Sequence, residues 1–536
     1  MPRLGRPGGC HHTLSMPAPS SLGALLDSAP PENPAVVAGA RTITYGMLAE
    51  ESRCVAGALA ALGIGSGDRV ALWLPNLPEW LALYFALARL GAVTVAINTR
   101  FRGAELGDIV FRSGCRALAL DPSFRRVDFA GILASVDPAL LSRLETVILC
   151  GKGEVSAIKR RVDYGALARH TPLGVERGTL DSGSAIFTTS GTTSAPKFVL
   201  HTQRGLLSHA QDVVRGFGLS GRVVLQSLPL CGVFGFCQAM AGLAARGCLV
   251  LQSAWDAEEA GALVERHGVT AFNGTDAMIA GLLDTTSETA LRRIPFLGYG
   301  AFDPALADLV ERAEHCGLTL VGLYGMSEVQ AFFARRHETE PLERRRVPGG
   351  IPVSGVAQVR VRDPDTGHIL GIGMSGELEL RGPSLMREYF GDRAATERAM
   401  TADGFVRTGD LGRVLDDGSF VFETRLGDVL RLSGFLVAPA EIESYLQRHP
   451  SIDGAQVVGV STAAGVKPVA FVTRKPGAAF DEGALKAHCG ASLARYKVPV
   501  RIVLVDAFPA TMSANGIKIQ KGKLREQASE ILSASG

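Results

Sequence analysis

Between Thr188 and Lys197 the chain reads Thr-Thr-Ser-Gly-Thr-Thr-Ser-Ala-Pro-Lys, and six of these ten residues carry hydroxyls. Side chains this small leave many backbone N–H and O–H donors accessible, and the closing lysine adds a positive charge. That chemistry suits an anion, above all a polyphosphate. The run is not the P-loop pattern, which needs two glycines at fixed spacing and a terminal Lys-Ser or Lys-Thr. A Ser/Thr/Gly/Pro cluster taken alone is more often a solvated loop. The rest of the chain therefore decides what this one does.

The loop follows Ala185-Ile186-Phe187, which reads as the end of a buried strand. The same texture recurs along the first two-thirds of the chain. Short apolar runs at 70–74, 92–96, 117–120, 147–150, 185–189, 224–228, 249–251, 271–273 and 318–323 alternate with helical stretches such as Leu77–Leu90. This alternation predicts layered α/β sheets, largely parallel. After about residue 355 the segments 356–361 and 376–380 alternate apolar and polar residues, as half-exposed antiparallel strands do. Asp416-Asp417-Gly418 is a hairpin turn signal. Beyond Arg425–Asp428 about 110 residues show their own α+β rhythm, a normal size for a small domain. Its expected elements are a helix at 438–448, strands at 454–460 and 468–473, a helix at 484–493 and a strand at 500–505. The predicted organisation is a tail over 1–20, a large α/β domain with a β-rich subdomain over 21–424, a boundary at 425–428 and a small domain over 429–536.

Bulk properties narrow the function classes. The 536 residues carry 55 basic and 53 acidic side chains, a net charge of +2, so nucleic acid is not an expected partner. Nine cysteines are scattered without a Cys-x-x-Cys pair, which points to free thiols in a reducing, cytoplasmic setting rather than to disulfides or zinc. The uncharged stretch Val223–Ala245 has the length of a membrane span, but its proline, glycines and glutamines fit a buried strand, a bend and a helix better. Four prolines and the lack of an apolar core in the first twenty residues are not what a secretory signal is expected to show.

Five further motifs follow the loop in order. They are Gly298-Tyr299-Gly300-Ala301, Tyr324-Gly325-Met326-Ser327-Glu328, Thr408-Gly409-Asp410, Arg425-Leu426-Gly427-Asp428 with Gly434 and Pro439–Glu443, and Lys518–Arg525. Each is weak alone. In this order, over about residues 40–525, they resemble the adenylate-forming (AMP-binding) superfamily, and within it acyl-CoA synthetases and other acid–thiol ligases most.

The resemblance implies an ATP-dependent activation of a carboxylic acid to an acyl-adenylate, followed by transfer to the thiol of coenzyme A. ATP, Mg²⁺ and coenzyme A are the implied cofactors. Thr188, Thr189, Ser190, Gly191, Thr192, Thr193 and Lys197 would hold the β- and γ-phosphates. Glu328 would bind Mg²⁺, as a lone carboxylate beside phosphates and waters suits that ion. Ser327 would donate to the α-phosphate. Tyr324, with Gly325, would stack on adenine, and Gly298, Tyr299, Gly300 and Ala301 would approach its edge. Asp410 would accept the ribose hydroxyls, Arg425 would bond the ribose, and Gly434 would line the thiol channel. Lys518 would bridge the carboxylate and the α-phosphate from the small domain, which must close for the first step and swing about Gly427 for the second.

Departures from the family pattern bear on the substrate. Ser194 and Phe198 stand where glycine is usual, and Phe198 is expected to narrow the approach. Gly232 in Pro229-Leu230-Cys231-Gly232 replaces a common gating histidine, and Phe435 replaces a glycine beside Gly434. Phe234, Phe236, Phe272, Asn273, Gly274, Tyr299 and Gly300 are the expected pocket wall, and they favour an acyl or aryl acid over a zwitterion. Loading of a separate carrier protein, a luciferase-like oxygenation and a nucleotide-binding relative without turnover are the alternatives. A homodimer is allowed for, and the sequence leaves assembly open.

Overall fold

The computed structural model describes residues 19–155, 158, 160–189, 196–302, 306, 308–432, 435–462, 465–513 and 516–534, with side chains at 435, 436, 512, 513, 516–518 and 534 outside the description. The predicted alternation of strand and helix produces six parallel neighbours, in the order 183–189, 93–96, 69–73, 117–120, 146–149 and 160–163. The helix Pro78–Leu90 links two of these strands. It starts on a proline in its first turn and stops at Gly91, whose φ of 72° ends the helix in the left-handed region. Twelve of its thirteen residues are buried, because it lies under a sheet rather than at the surface.

The same sheet is extended by two antiparallel strands. Lys197–Thr202 turns back on Gly183–Thr189, and the short strand Glu388–Tyr389 pairs beyond it. Neither strand is legible as such from periodicity. The first is held by its hairpin with 183–189, and the second is only two residues long. A four-stranded sheet orders 223–226, 248–251, 34–38 and 41–44. The uncharged stretch resolves into the strand Val223–Gln226 and the helix Val233–Ala244. No helix among the described residues is long and apolar enough to cross a membrane.

The third sheet has nine strands, in the order 273–275, 297–300, 320–326, 330–335, 349–352, 420–425, 406–414, 376–381 and 358–362. Its first strand begins two residues later than the sequence predicts, because Ala271 is spent on a bridge to Val224 of the four-stranded sheet. The Asp416–Gly418 turn joins 406–414 to 420–425, with Gly418 at φ 79°.

Beyond residue 430 the helix Pro439–Gln447, the hairpin of Ile452–Thr462 with Gly465–Arg474, the helix Glu482–Ser492 and the strand Arg501–Leu504 follow the predicted order. The apolar clusters do not mix across this point. Three are drawn from residues 22–422 and two from residues 430–532. A two-bond ion pair between Arg431 and Asp365, 2.7 Å at each contact, links the second group to the β-rich subdomain.

Candidate active site

Four of the sequence motifs lie on the nine-stranded sheet. Asp410 stands directly opposite Arg425 in the register of the 406–414/420–425 hairpin, and Arg425 Nη1 meets Asp410 Oδ1 at 2.8 Å. Tyr324, near the end of strand 320–326, donates its hydroxyl to Asp410 Oδ2 at 2.6 Å. The Tyr324 ring packs against Phe420 and Phe422, leaving 6% of the residue exposed. Burial raises the Asp410 carboxyl to about 6, with Arg425 and the Tyr324 hydroxyl opposing the rise. Burial, then the Asp410 charge, pushes Tyr324 far above the usual phenol range, so its hydroxyl stays a donor.

Glu328 follows on a single turn of 3-10 helix, Ser327–Val329, and is 7% exposed. Tyr389 donates its hydroxyl to Glu328 Oε1 at 2.7 Å. Burial, then the Glu328 charge, keeps that phenol protonated. The backbone around Glu328 is clamped on both sides. His201 Nε2 donates to the Ser327 carbonyl at 2.7 Å, the Met386 N–H to the Glu328 carbonyl at 2.7 Å, and His209 Nε2 to the Ala331 carbonyl at 2.5 Å. Burial lowers both histidines to about 4, so each is neutral with its proton on Nε2. The Gln330 side chain donates to the carbonyls of Gly205 and Ser384. These bonds hold a backbone with φ of 66° at Gln330 and 63° at Phe332, values that non-glycine residues keep only when surroundings dictate them. Gly325 must stay small for the same reason, since a Cβ there would meet the Ala331 Cα at 2.8 Å.

The phosphate-loop candidate connects two strands that pair as Thr188 with Phe198 and Thr189 with Lys197. Ser190, Gly191, Thr192, Thr193 and Ser194 lie outside the described residues. Lys197 places its Nζ 4.5 Å from the centre of the Tyr389 ring. Phe198 does not narrow the approach, as the sequence suggested. Alternation along the strand turns its ring away from Lys197 into the core with Ile186 and Leu200, where it is 2% exposed. The Arg112 guanidinium covers that ring at 4.4 Å and donates to the Pro196 carbonyl at 2.9 Å.

Residues 27–390 match the AMP-binding enzyme family and residues 441–515 match its C-terminal domain. The chain belongs to the AMP-binding enzyme family. It is similar to 2-succinylbenzoate–CoA ligase of Geobacillus kaustophilus (strain HTA426), 32% identical over 89% of this chain and 92% of that one. It is 30% identical to 4-coumarate–CoA ligase 5 of Oryza sativa subsp. japonica, over 90% and 89% of the two chains. The crystal structure of ATP-bound MatB from Rhodopseudomonas palustris superposes with a TM-score of 0.82 at 29% identity, covering 95% of this chain and 98% of that one.

The other predicted site residues of this AMP-binding enzyme are placed as follows. Gly298, Tyr299 and Gly300 form the strand beside Tyr324's, and Ala301 lies just beyond its end. The Asn273 amide oxygen accepts from the Gly298 N–H at 2.9 Å, and Gln238 in turn accepts from both the backbone and the side chain of Asn273. That amide chain is satisfied within the protein. The Tyr299 hydroxyl donates to the Arg346 carbonyl at 3.1 Å. Phe236 is fully buried among Trp80, Tyr84 and Phe187, which makes it core rather than pocket wall. The Phe272 ring stacks on Trp255, with centres 6.4 Å apart. Lys518 sits on strand Gly516–Ile519 opposite Thr511, and its side chain lies outside the description, as do Gly434 and the Phe435 side chain.

The donor set at Glu328 fits a Mg²⁺ ion shared with phosphates. It is one buried carboxylate with one oxygen held by Tyr389, and Mg²⁺ takes few protein carboxylates and keeps several waters. Sequence reasoning missed His201 and Tyr389. No spacing signal marks either, because their roles arise where the edge of the eight-stranded sheet meets the end of strand 320–326.

Proposed function

We propose that this protein uses ATP to convert a carboxylic acid to an acyl-adenylate and then passes the acyl group to the thiol of coenzyme A. In the first step a carboxylate oxygen bonds to the α-phosphorus and pyrophosphate leaves. In the second, the thiol sulfur bonds to the acyl carbon, its proton passes to solvent and AMP leaves. The first step brings an anion to a polyanion, so charge placement matters more than a base. Asp410, ionised, accepts the ribose hydroxyls while Arg425 and Tyr324 hold it in place. The 188–197 loop with Lys197 grips the departing pyrophosphate, and Ser327 donates to the α-phosphate. A Mg²⁺ ion held by Glu328 would neutralise charge on the triphosphate. Lys518 brings the remaining cation from the small domain, whose boundary we place at 425–428. The acid is an acyl or aryl acid, the Phe234 and Phe332 rings, 5.0 Å apart, supplying an apolar boundary.

The observation that carries this assignment is that Asp410 is held by both Tyr324 and Arg425, while Glu328, four residues beyond Tyr324, is held by Tyr389 of the strand paired with the exit strand of the hydroxyl-rich loop. The test is to incubate the protein with ATP, Mg²⁺ and a panel of fatty, aryl and branched acids, with and without coenzyme A, measuring pyrophosphate and AMP separately. Acid-dependent pyrophosphate release with coenzyme A consumption is expected. Adenylate formed without coenzyme A consumption would point to a carrier protein as acceptor, and no acid-dependent release from any acid would overturn the assignment.

A further inference from the structure

Tyr389 touches both halves of the site. Its hydroxyl donates to Glu328 Oε1 at 2.7 Å, and its ring face carries the Lys197 ammonium at 4.5 Å. The residue is 4% exposed, and its segment is stitched to both neighbours by backbone bonds. The Met386 N–H donates to the Glu328 carbonyl at 2.7 Å. The Arg387 N–H donates to the Leu200 carbonyl at 2.8 Å and the Phe390 N–H to the Phe198 carbonyl at 2.7 Å, on the strand that leaves the hydroxyl-rich loop. The Tyr389 N–H is itself held by Thr396 Oγ1 at 3.0 Å. Segment 386–390 is thus bonded at one end to the Glu328 turn and along its length to the loop's exit strand.

A carboxylate that ligates a metal is oriented by the donor on its other oxygen, and loss of that donor weakens metal binding by about 10–100-fold. An ammonium over a phenol face is likewise held without losing its charge. We propose that Tyr389 is a positioning residue that couples the two. One phenol fixes the orientation of Glu328 and the perch of Lys197, so that the metal end and the pyrophosphate end of the triphosphate site keep one spacing. This inference rests on the assignment of Glu328 as the metal-binding carboxylate.

The test is calorimetric titration of ATP into the full-length protein, without acid, in EDTA and across a Mg²⁺ series, repeated with Mn²⁺ followed by electron paramagnetic resonance. Three variants are compared: Tyr389→Phe, Tyr389→Leu and Glu328→Gln. Tyr389→Phe keeps the ring under Lys197 and removes only the donor. It is expected to leave ATP affinity in EDTA unchanged, which also shows that it folds, and to raise the Mg²⁺ concentration for half-maximal tightening by about 10-fold. Tyr389→Leu removes both contacts and is expected to weaken ATP binding in EDTA as well. Glu328→Gln should abolish most of the Mg²⁺ response. If Glu328→Gln shifts the Mg²⁺ dependence and Tyr389→Phe does not, the coupling role is wrong while the site assignment stands. If Glu328→Gln leaves the Mg²⁺ dependence unmoved, the assignment of Glu328 fails and the inference fails with it.

Discussion

The Tyr324 hydroxyl donates to Asp410 Oδ2 across 2.6 Å, in a place where burial has already raised the Asp410 carboxyl to about 6. An ionised carboxylate held there is costly, and Arg425 and Tyr324 offset only part of the cost. The folded value exceeds the ordinary 3.8, so this group's contribution to stability is complete below about pH 4 and is lost as pH rises through 6. A shift of about two units corresponds to about 3 kcal/mol above pH 6. Asp410→Asn should therefore melt no lower than the parent at pH 8, while ATP affinity falls about 10–100-fold through the lost charged acceptor. Parent ATP affinity should decline as pH drops through 6, and the Asn variant should show no such limb. Isothermal titration at several pH values checks both, and a parent profile flat between pH 5 and 8 would remove Asp410 from the role.

His201 is neutral at every pH near 7, because burial lowers it to about 4. Its described side-chain hydrogen bond is to the Ser327 carbonyl, and its ring lies beside Phe187. His201→Phe should leave that carbonyl unpaired and lower stability by about 1–3 kcal/mol by denaturant titration. The activity–pH profile should keep its shape across roughly pH 5.5–8, the range in which an ordinary histidine would titrate. A missing limb in that range would mean that His201 titrates in the working enzyme.

Phe198 lies in the core under Arg112, so its replacement tests packing rather than access. Phe198→Ala should cost about 3–5 kcal/mol of stability without changing which acids are accepted. A stable variant with a broadened acid range would return the ring to the pocket.

Lys518 is proposed to serve the first half-reaction alone. Lys518→Ala should slow acyl-adenylate formation by about 100-fold or more. Thioester formation from supplied acyl-adenylate should proceed at the parent rate. Stopped assays of each half-reaction separate the two, and equal losses would contradict an alternating small domain.

Gly427 is not required by the conformation described here. A Cβ at this position would meet nothing within 4 Å, and its φ lies outside the left-handed region. Its permissiveness is of use only if the backbone visits a second state. Gly427→Ala should be near neutral, whereas Gly427→Pro, which locks φ, should spare one half-reaction and slow the other by about 10-fold or more. Parent rates in both half-reactions of the proline variant would move the pivot elsewhere.

The order of motifs from Thr188 to Arg525, the family and the α/β alternation are all legible in the chain, because they depend on residue type and local spacing. Strand and helix periods are local properties, and a glycine- and hydroxyl-rich loop after a buried strand declares itself without a partner. The sequence alone could not orient Phe198, because a hairpin register puts Lys197 and Phe198 on opposite faces, and that register exists only once 197–202 pairs with 183–189. Nor could it single out Tyr389 or His201. Each acts on the Glu328 turn from more than sixty and more than one hundred residues away, respectively, across the junction of two sheets. Tertiary structure decided these because a buried carboxylate or carbonyl takes whichever donor packing delivers, and packing joins residues that no sequence spacing relates.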